Sequence, residues 1–262
     1  MIYFVGAGPG AVDLITVRGQ KLLEEADLII YAGSLVNPQL LQFAKKGCHI
    51  CNSASMTLED VLREMEQAEK KGWMTVRLHT GDPCLYGAIR EQMDALDQRH
   101  IAYTYVPGVS SFSAAAAAVR KEYTLPGISQ SVIITRMEGR TPVPDGQRIA
   151  DYAAHHATMV IFLSTGLLDK LQTELRSLNS SVADTQRIRR QLSYTRHPGR
   201  MNGSFTALSR LWQKRQRLPA LPGRHSSWSA ISSMAPMTGV SYMTRPLPMD
   251  TAKRPNSSCE RR

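Results

Sequence analysis

Along the first 176 residues the apolar positions switch repeatedly between two spacings. Ile2-Tyr3-Phe4-Val5 is a short apolar run that ends at a glycine and predicts a buried strand. Residues 14–25 carry apolar side chains at helical spacing, and Leu28-Ile29-Ile30-Tyr31 returns to a strand-like run. Thr57 stands where a helix N-cap belongs, ahead of a strongly amphipathic stretch that reaches about Lys71 and is closed by Gly72. Met74-Thr75-Val76-Arg77-Leu78 predicts a strand, residues 88–96 a helix, 102–106 a strand and 114–119 a helix. Val132-Ile133-Ile134-Thr135 and Met159-Val160-Ile161-Phe162-Leu163 predict two more strands. Strands alternating with helices predict an α/β fold with parallel sheets. In such sheets ligands gather at the carboxyl ends of the strands. Residues 177–262 show no sustained period. With 14 Ser and 15 Lys+Arg they hold too little apolar surface to offset chain entropy, so no packed element is predicted there.

Charge follows the same division. The whole chain of 262 residues has a formal net charge of +10. Residues 1–176 carry 17 basic and 19 acidic side chains, a net of −2, and residues 177–262 carry 15 and 3, a net of +12. The basic excess therefore gives no reason to expect a nucleic-acid partner for the patterned part, and the tail lacks the interleaved aromatics of a nucleic-acid surface. Four cysteines are too few for a disulfide scaffold at this length. The start resembles no signal peptide and no apolar run approaches a bilayer span, so a cytoplasmic protein without a membrane partner is expected.

The glycine turns carry the candidate chemistry. Gly6-Ala7-Gly8-Pro9-Gly10-Ala11 follows the first predicted strand and fits the loose G-x-G-x-x-G/A pattern. A nicotinamide site would want an acid after Tyr31, where Ala32-Gly33-Ser34 stands instead, and a Walker A loop would want Gly-Lys-Ser/Thr. A plain tight turn explains the segment equally well. Thr80-Gly81-Asp82-Pro83 and Val106-Pro107-Gly108-Val109-Ser110-Ser111 repeat the arrangement after two other strands, with Ser110 placed as a helix N-cap. Cys48-His49-Ile50-Cys51 lacks the second pair that a zinc site needs and reads as small residues on a short strand. His155-His156 reads as a solvated turn, so no metal is expected. Arg136 and Arg140 share one strand-end loop that could hold carboxylates.

Taken together, Val5 to Gly10, Thr80-Gly81-Asp82 and Val106 to Ser111 resemble the signature of the S-adenosylmethionine-dependent tetrapyrrole methylases. Residues 31–36, 80–87 and 129–144 are most similar to the precorrin-4 C11-methyltransferase branch of that family, and the likeness runs from residue 2 to about 176. The resemblance implies two α/β domains with a trough between them. It divides this chain into an N-terminal α/β domain (1–112), the first half of a second (113–178) and an aberrant tail (179–262). It implies methyl transfer from S-adenosylmethionine to C11 of (cobalt-)precorrin-4, a homodimer, and cofactor contacts at Pro9, Gly81, Asp82, Leu85, Ser110, Ser111 and Leu163. The substrate's many carboxylates make Arg77, Arg90, Arg136 and Arg140 candidate trough residues, and no general base stands out. A sister methylase acting at another ring position is the nearest alternative.

The tail departs from the family. Starting each codon at the third base of the printed one turns residues 219–232 into a string compatible with Gly-Ile-Thr-Arg-Thr-Ala-Leu-Ile-Leu-Val-Gly. The same shift turns residues 192–202 into one compatible with Tyr-Lys-Ala-Ser-Trp-Pro-Asp-Glu. Both are patterns of the family, in its order. The expectation is an out-of-frame translation beginning within 177–186, whose product would lack the last strands of the second domain and be non-catalytic.

Overall fold

A computed structural model describes residues 1–139, 141–179, 192–197, 200–207 and 259–261, all of which fall in one compact unit, Met1–Leu208 with Ser257–Arg262. Its strands are β1 (Ile2–Gly6), β2 (Leu28–Tyr31), β3 (His49–Asn52), β4 (Thr75–His79) and β5 (Tyr103–Val106), then β6 (Val132–Arg136), β7 (Thr158–Phe162), β8 (Leu192–His197), β9 (Arg200–Ala207) and β10 (Cys259–Arg261). Its helices are α1 (Val17–Glu25), α2 (Leu58–Lys70), α3 (Arg90–Gln98), α4 (Ser111–Val119), α5 (Ile149–Ala153) and α6 (Leu168–Asn179). No helix among the described residues is long and apolar enough to cross a membrane.

The first sheet has the order β10-β3-β2-β4-β1-β5. β1 to β5 run parallel, and β10 lies antiparallel on β3. Alternation along these strands sends side chains to two packed faces. On one, Val5, Ile29, Val76, Leu78 and Val106 pack with Leu22 and Leu23 of α1. On the other, Ile2, Phe4, Leu28 and Ile30 meet Val61, Leu62 and Met65 of α2 and Leu96 of α3. Thr57 caps α2 with a full capping box: its hydroxyl accepts from the Asp60 amide, and Asp60 accepts from the Thr57 amide. Gly72 follows in the left-handed region, at φ 69°.

The second sheet is smaller. β6 and β7 pair in parallel, and all their residues except Thr135 are half-buried. Their cluster centres on Met137, Ile149 and Leu171, with α5 and α6 supplying the last two. Beyond residue 186, where the spacing predicts nothing, β8 and β9 form an antiparallel pair and β10 extends the first sheet. A weak two-residue alternation does exist there, Leu192 and Tyr194 in β8 and Met201 and Phe205 in β9, diluted by Ser, Thr and Arg.

Candidate functional site

β4, β1 and β5 are neighbours in the sheet, so the turns that leave their carboxyl ends are neighbours too. The Ala7 amide donates to the His79 carbonyl at 2.6 Å, and Gly8 and Gly81 exchange bonds at 3.3 and 2.8 Å. The glycines allow this closeness. A Cβ on Gly6 would lie 2.5 Å from the Gly108 Cα and 2.7 Å from the Gly81 carbonyl oxygen, and one on Gly108 only 2.3 Å from that oxygen. Gly6 and Gly108 are thus consumed by packing the turns together. Gly81 differs: it sits at φ +61°, and a Cβ there would first meet the Ser111 amide at 3.6 Å.

Pro9 and Gly81 are buried beside this junction and Leu85 is half-buried. Ser110 is buried and occupies the N-cap of α4, yet its side chain makes no capping bond, unlike Thr57 on α2. Ser111 opens α4. Leu163 follows β7, 70% exposed and at φ +53°. A ring contact links that edge to the loop after β4, because Tyr86 lies 5.3 Å from Phe162. Six non-glycine residues among those described have positive φ. His100, Arg120 and His156 follow helix ends, where left-handed caps are common, whereas Tyr86, Ala88 and Leu163 have no such reason. Strain of about 1–3 kcal/mol per residue is a mark of functional edges.

Asp82 is the charged group at the junction. Its carboxylate accepts from the Cys84 amide at 2.9 Å, from the Gly108 amide at 3.3 Å and from the Tyr105 hydroxyl. Burial pushes its pKa up, but the hydrogen bonds from Tyr105, from the Cys84 amide and thiol and from the Gly108 amide outweigh that and hold it below the usual carboxylate range. Burial, followed by Asp82, raises both the Tyr105 phenol and the Cys84 thiol, so both keep their protons. Tyr105 belongs to none of the motifs; the only signal for it in the sequence is its place in a strand just before Val106-Pro107-Gly108.

Each candidate arginine among the described residues has partners within the chain. Arg77 is buried, donating to Gln92 of α3 at 3.0 Å and to the Ile30 carbonyl at 3.1 Å. Burial lowers its pKa to about 10. It is thus a satisfied core cation within the sheet, which corrects its reading as a trough residue, because strand alternation turns it toward α3. Arg90 is exposed on α3 and pairs with Asp94 and, at 3.9 Å, with Asp97. Arg136 braces its own loop by donating to the Thr141 and Pro142 carbonyls at 3.0 and 2.8 Å. Arg140 lies outside the described residues.

A parallel sheet whose glycine turns converge at the carboxyl ends of its strands has the layout of an α/β protein that takes a small molecule there. The tetrapyrrole (corrin/porphyrin) methylases match residues 1–190, and the chain belongs to that family. It is 53% identical over 174 residues to the cobalt-precorrin-4 C(11)-methyltransferase of Methanocaldococcus jannaschii, covering 66% of this chain and 67% of that one. It is 44% identical over 175 residues to the precorrin-4 C(11)-methyltransferase of Mycobacterium tuberculosis, covering 66% and 70%. Among solved structures, a cobalt precorrin-4 methyltransferase matches at 40% identity with a TM-score of 0.72, over 81% of this chain and 87% of that one.

Proposed function

We propose that this chain transfers a methyl group from S-adenosylmethionine to C11 of (cobalt-)precorrin-4, giving (cobalt-)precorrin-5 and S-adenosylhomocysteine in cobalamin biosynthesis, as a cytoplasmic homodimer. The observation that carries the reading is the 53% identity to a cobalt-precorrin-4 C(11)-methyltransferase, within a family match that includes all three turns.

The residues suit the methyl donor. A hydroxyl at Ser110 that is not spent on capping, the first amides of α4 and a partly satisfied carboxylate at Asp82 match a ligand with hydroxyl and amino groups. Leu85 and Leu163 add apolar walls. When bound, S-adenosylmethionine supplies an activated methyl group whose carbon–sulfur bond breaks as the bond to C11 forms. The chain's own task is then positioning. Asp82 accepts from the donor's polar edge, Ser110 and the Ser111 amide orient it, and the leucines exclude water so that the two carbons meet at attack distance. Calorimetric titration of the full chain with S-adenosylhomocysteine, and turnover on precorrin-4 against its neighbours in the series, test this. Binding with preference for precorrin-4 is expected; no binding, or preference for another ring position, overturns it.

A second reading is favoured by where the relatives stop matching. The similarity covers 174–178 residues, about two thirds of this chain and of each of these relatives. We infer that residues from a point within 177–186 onward translate a shifted frame, so that the chain as written is a non-catalytic product of such a gene. Resequencing codons 170–190 checks it, and an unbroken frame there rejects it.

A further inference from the structure

Asp82 ties two of the three turns together, and the manner in which it does so singles out a residue no motif contains. Oδ1 accepts from the Cys84 amide within its own loop and from the Tyr105 hydroxyl; Oδ2 accepts from the Gly108 amide at the end of β5. A carboxylate oxygen offers about two acceptor sites; the Cys84 thiol bears on the carboxylate as well, and Oδ2, which takes the Gly108 amide, is the oxygen with a site left for a ligand. Two of the three hydrogen bonds first named come from backbone amides that any sequence would supply. The third requires a tyrosine at position 105, half-buried in β5 against the cluster that holds Phe4.

We propose that Tyr105 is a positioning residue for the methyl donor: its hydroxyl fixes the rotamer of the Asp82 carboxylate so that the remaining acceptor faces the bound ligand. The inference rests on the reading of this junction as the S-adenosylmethionine site. Tyr105 touches no substrate atom; it acts through Asp82. Its phenol keeps its proton, so it remains a donor throughout the working pH range.

The test is calorimetric binding of S-adenosylhomocysteine to the full chain and to Tyr105→Phe, Asp82→Asn and the double variant, with ligand-free unfolding followed alongside. A hydrogen bond to a charged group predicts about a tenfold rise in Kd for Tyr105→Phe. The double variant is expected to add less than a tenfold loss to that of Asp82→Asn, because against a neutral amide oxygen the tyrosine hydroxyl holds a weaker acceptor. The acid limb of binding is expected to move to higher pH in Tyr105→Phe, since removing a donor raises the pKa of Asp82; a merely structural tyrosine would leave that limb in place. A 3-fluorotyrosine at 105 keeps ring and hydroxyl while strengthening the donor, and is expected to move the limb downward even if the phenylalanine variant does not fold. Unchanged Kd and an unmoved limb in either variant overturn the inference alone. Failure of the unaltered chain to bind overturns the donor-site reading and this inference with it.

Discussion

The two sheets of this chain are built to different standards. In the first, both faces are covered: Phe4, Ile2, Ile29, Ile30, Leu78 and Val76 have no exposed surface. In the second, nearly every residue of β6 and β7 is half-buried, and three residues form the cluster. A two-stranded parallel sheet cannot hide its apolar faces alone. Among the described residues, the sheet carrying the glycine turns has its apolar faces covered, while β6 and β7 leave theirs half-covered. The largest test is therefore a pair of truncations. Phe4→Ala is expected to cost about 3–5 kcal/mol, from lost burial and an unfilled cavity, whereas Ile161→Ala, half-buried in β7, is expected to cost less than about 1.5 kcal/mol. Urea unfolding measures both, and equal costs would erase the contrast.

Acid sharpens it next. His79 ends β4, is buried, stacks at 6.3 Å on Phe4, and its Nε2 has no hydrogen-bond partner. Burial first, then the charge of Arg77, lowers its pKa to about 3. The unfolded chain, with an ordinary histidine near 6.5, binds the proton sooner. Stability is therefore full above about pH 6.5 and is lost as pH falls toward 3, by roughly 3 kcal/mol at pH 4 and about 5 kcal/mol in all. His155 and His156 before β7 are exposed. Unfolding midpoints between pH 7 and 4 for the chain and for His79→Leu read the effect; a variant with the same acid slope would show that the loss comes from elsewhere.

The glycines divide along the same line. Gly108→Ala drives a methyl group into the Gly81 carbonyl and is expected to cost about 1–3 kcal/mol or to part the turns. Gly166→Ala meets nothing within 4 Å and is expected to stay within about 0.5 kcal/mol. Thermal unfolding of the pair decides whether the convergence of turns is as tight as their backbone bonds indicate.

These differences explain what could be read from the sequence. The strand–helix alternation and the three glycine turns were legible because buried parallel strands and tight turns leave local marks, apolar runs and Gly-Pro punctuation. The fate of Arg77 was not, since a buried guanidinium satisfied by Gln92 and the Ile30 carbonyl depends on two other elements. Nor was the hydroxyl of Tyr105, whose partner lies 23 residues away, past the end of the intervening β1. The strands β8 and β9 escaped because their alternation is short: it stops at Arg196-His197 in β8, and in β9 Gly203 stands between Met201 and Phe205 where an apolar side chain would continue it.

The smallest expected effect separates capping from binding. Thr57 and Ser110 occupy the same N-cap position on α2 and α4, with the same extended backbone. Thr57 uses its hydroxyl to satisfy an orphan helix amide, so Thr57→Ala is expected to cost about 1 kcal/mol. Ser110 does not, so Ser110→Ala is expected to change stability by less than about 0.5 kcal/mol. A buried serine that leaves its own helix uncapped has its hydroxyl available for something outside the helix, and in this chain that is the proposed methyl donor. Ser110→Ala is therefore expected to weaken S-adenosylhomocysteine binding several-fold at nearly unchanged stability, as titration and thermal unfolding of the same sample would show. A loss of stability equal to that of Thr57→Ala, with affinity intact, would make Ser110 an ordinary cap and remove one leg of the site.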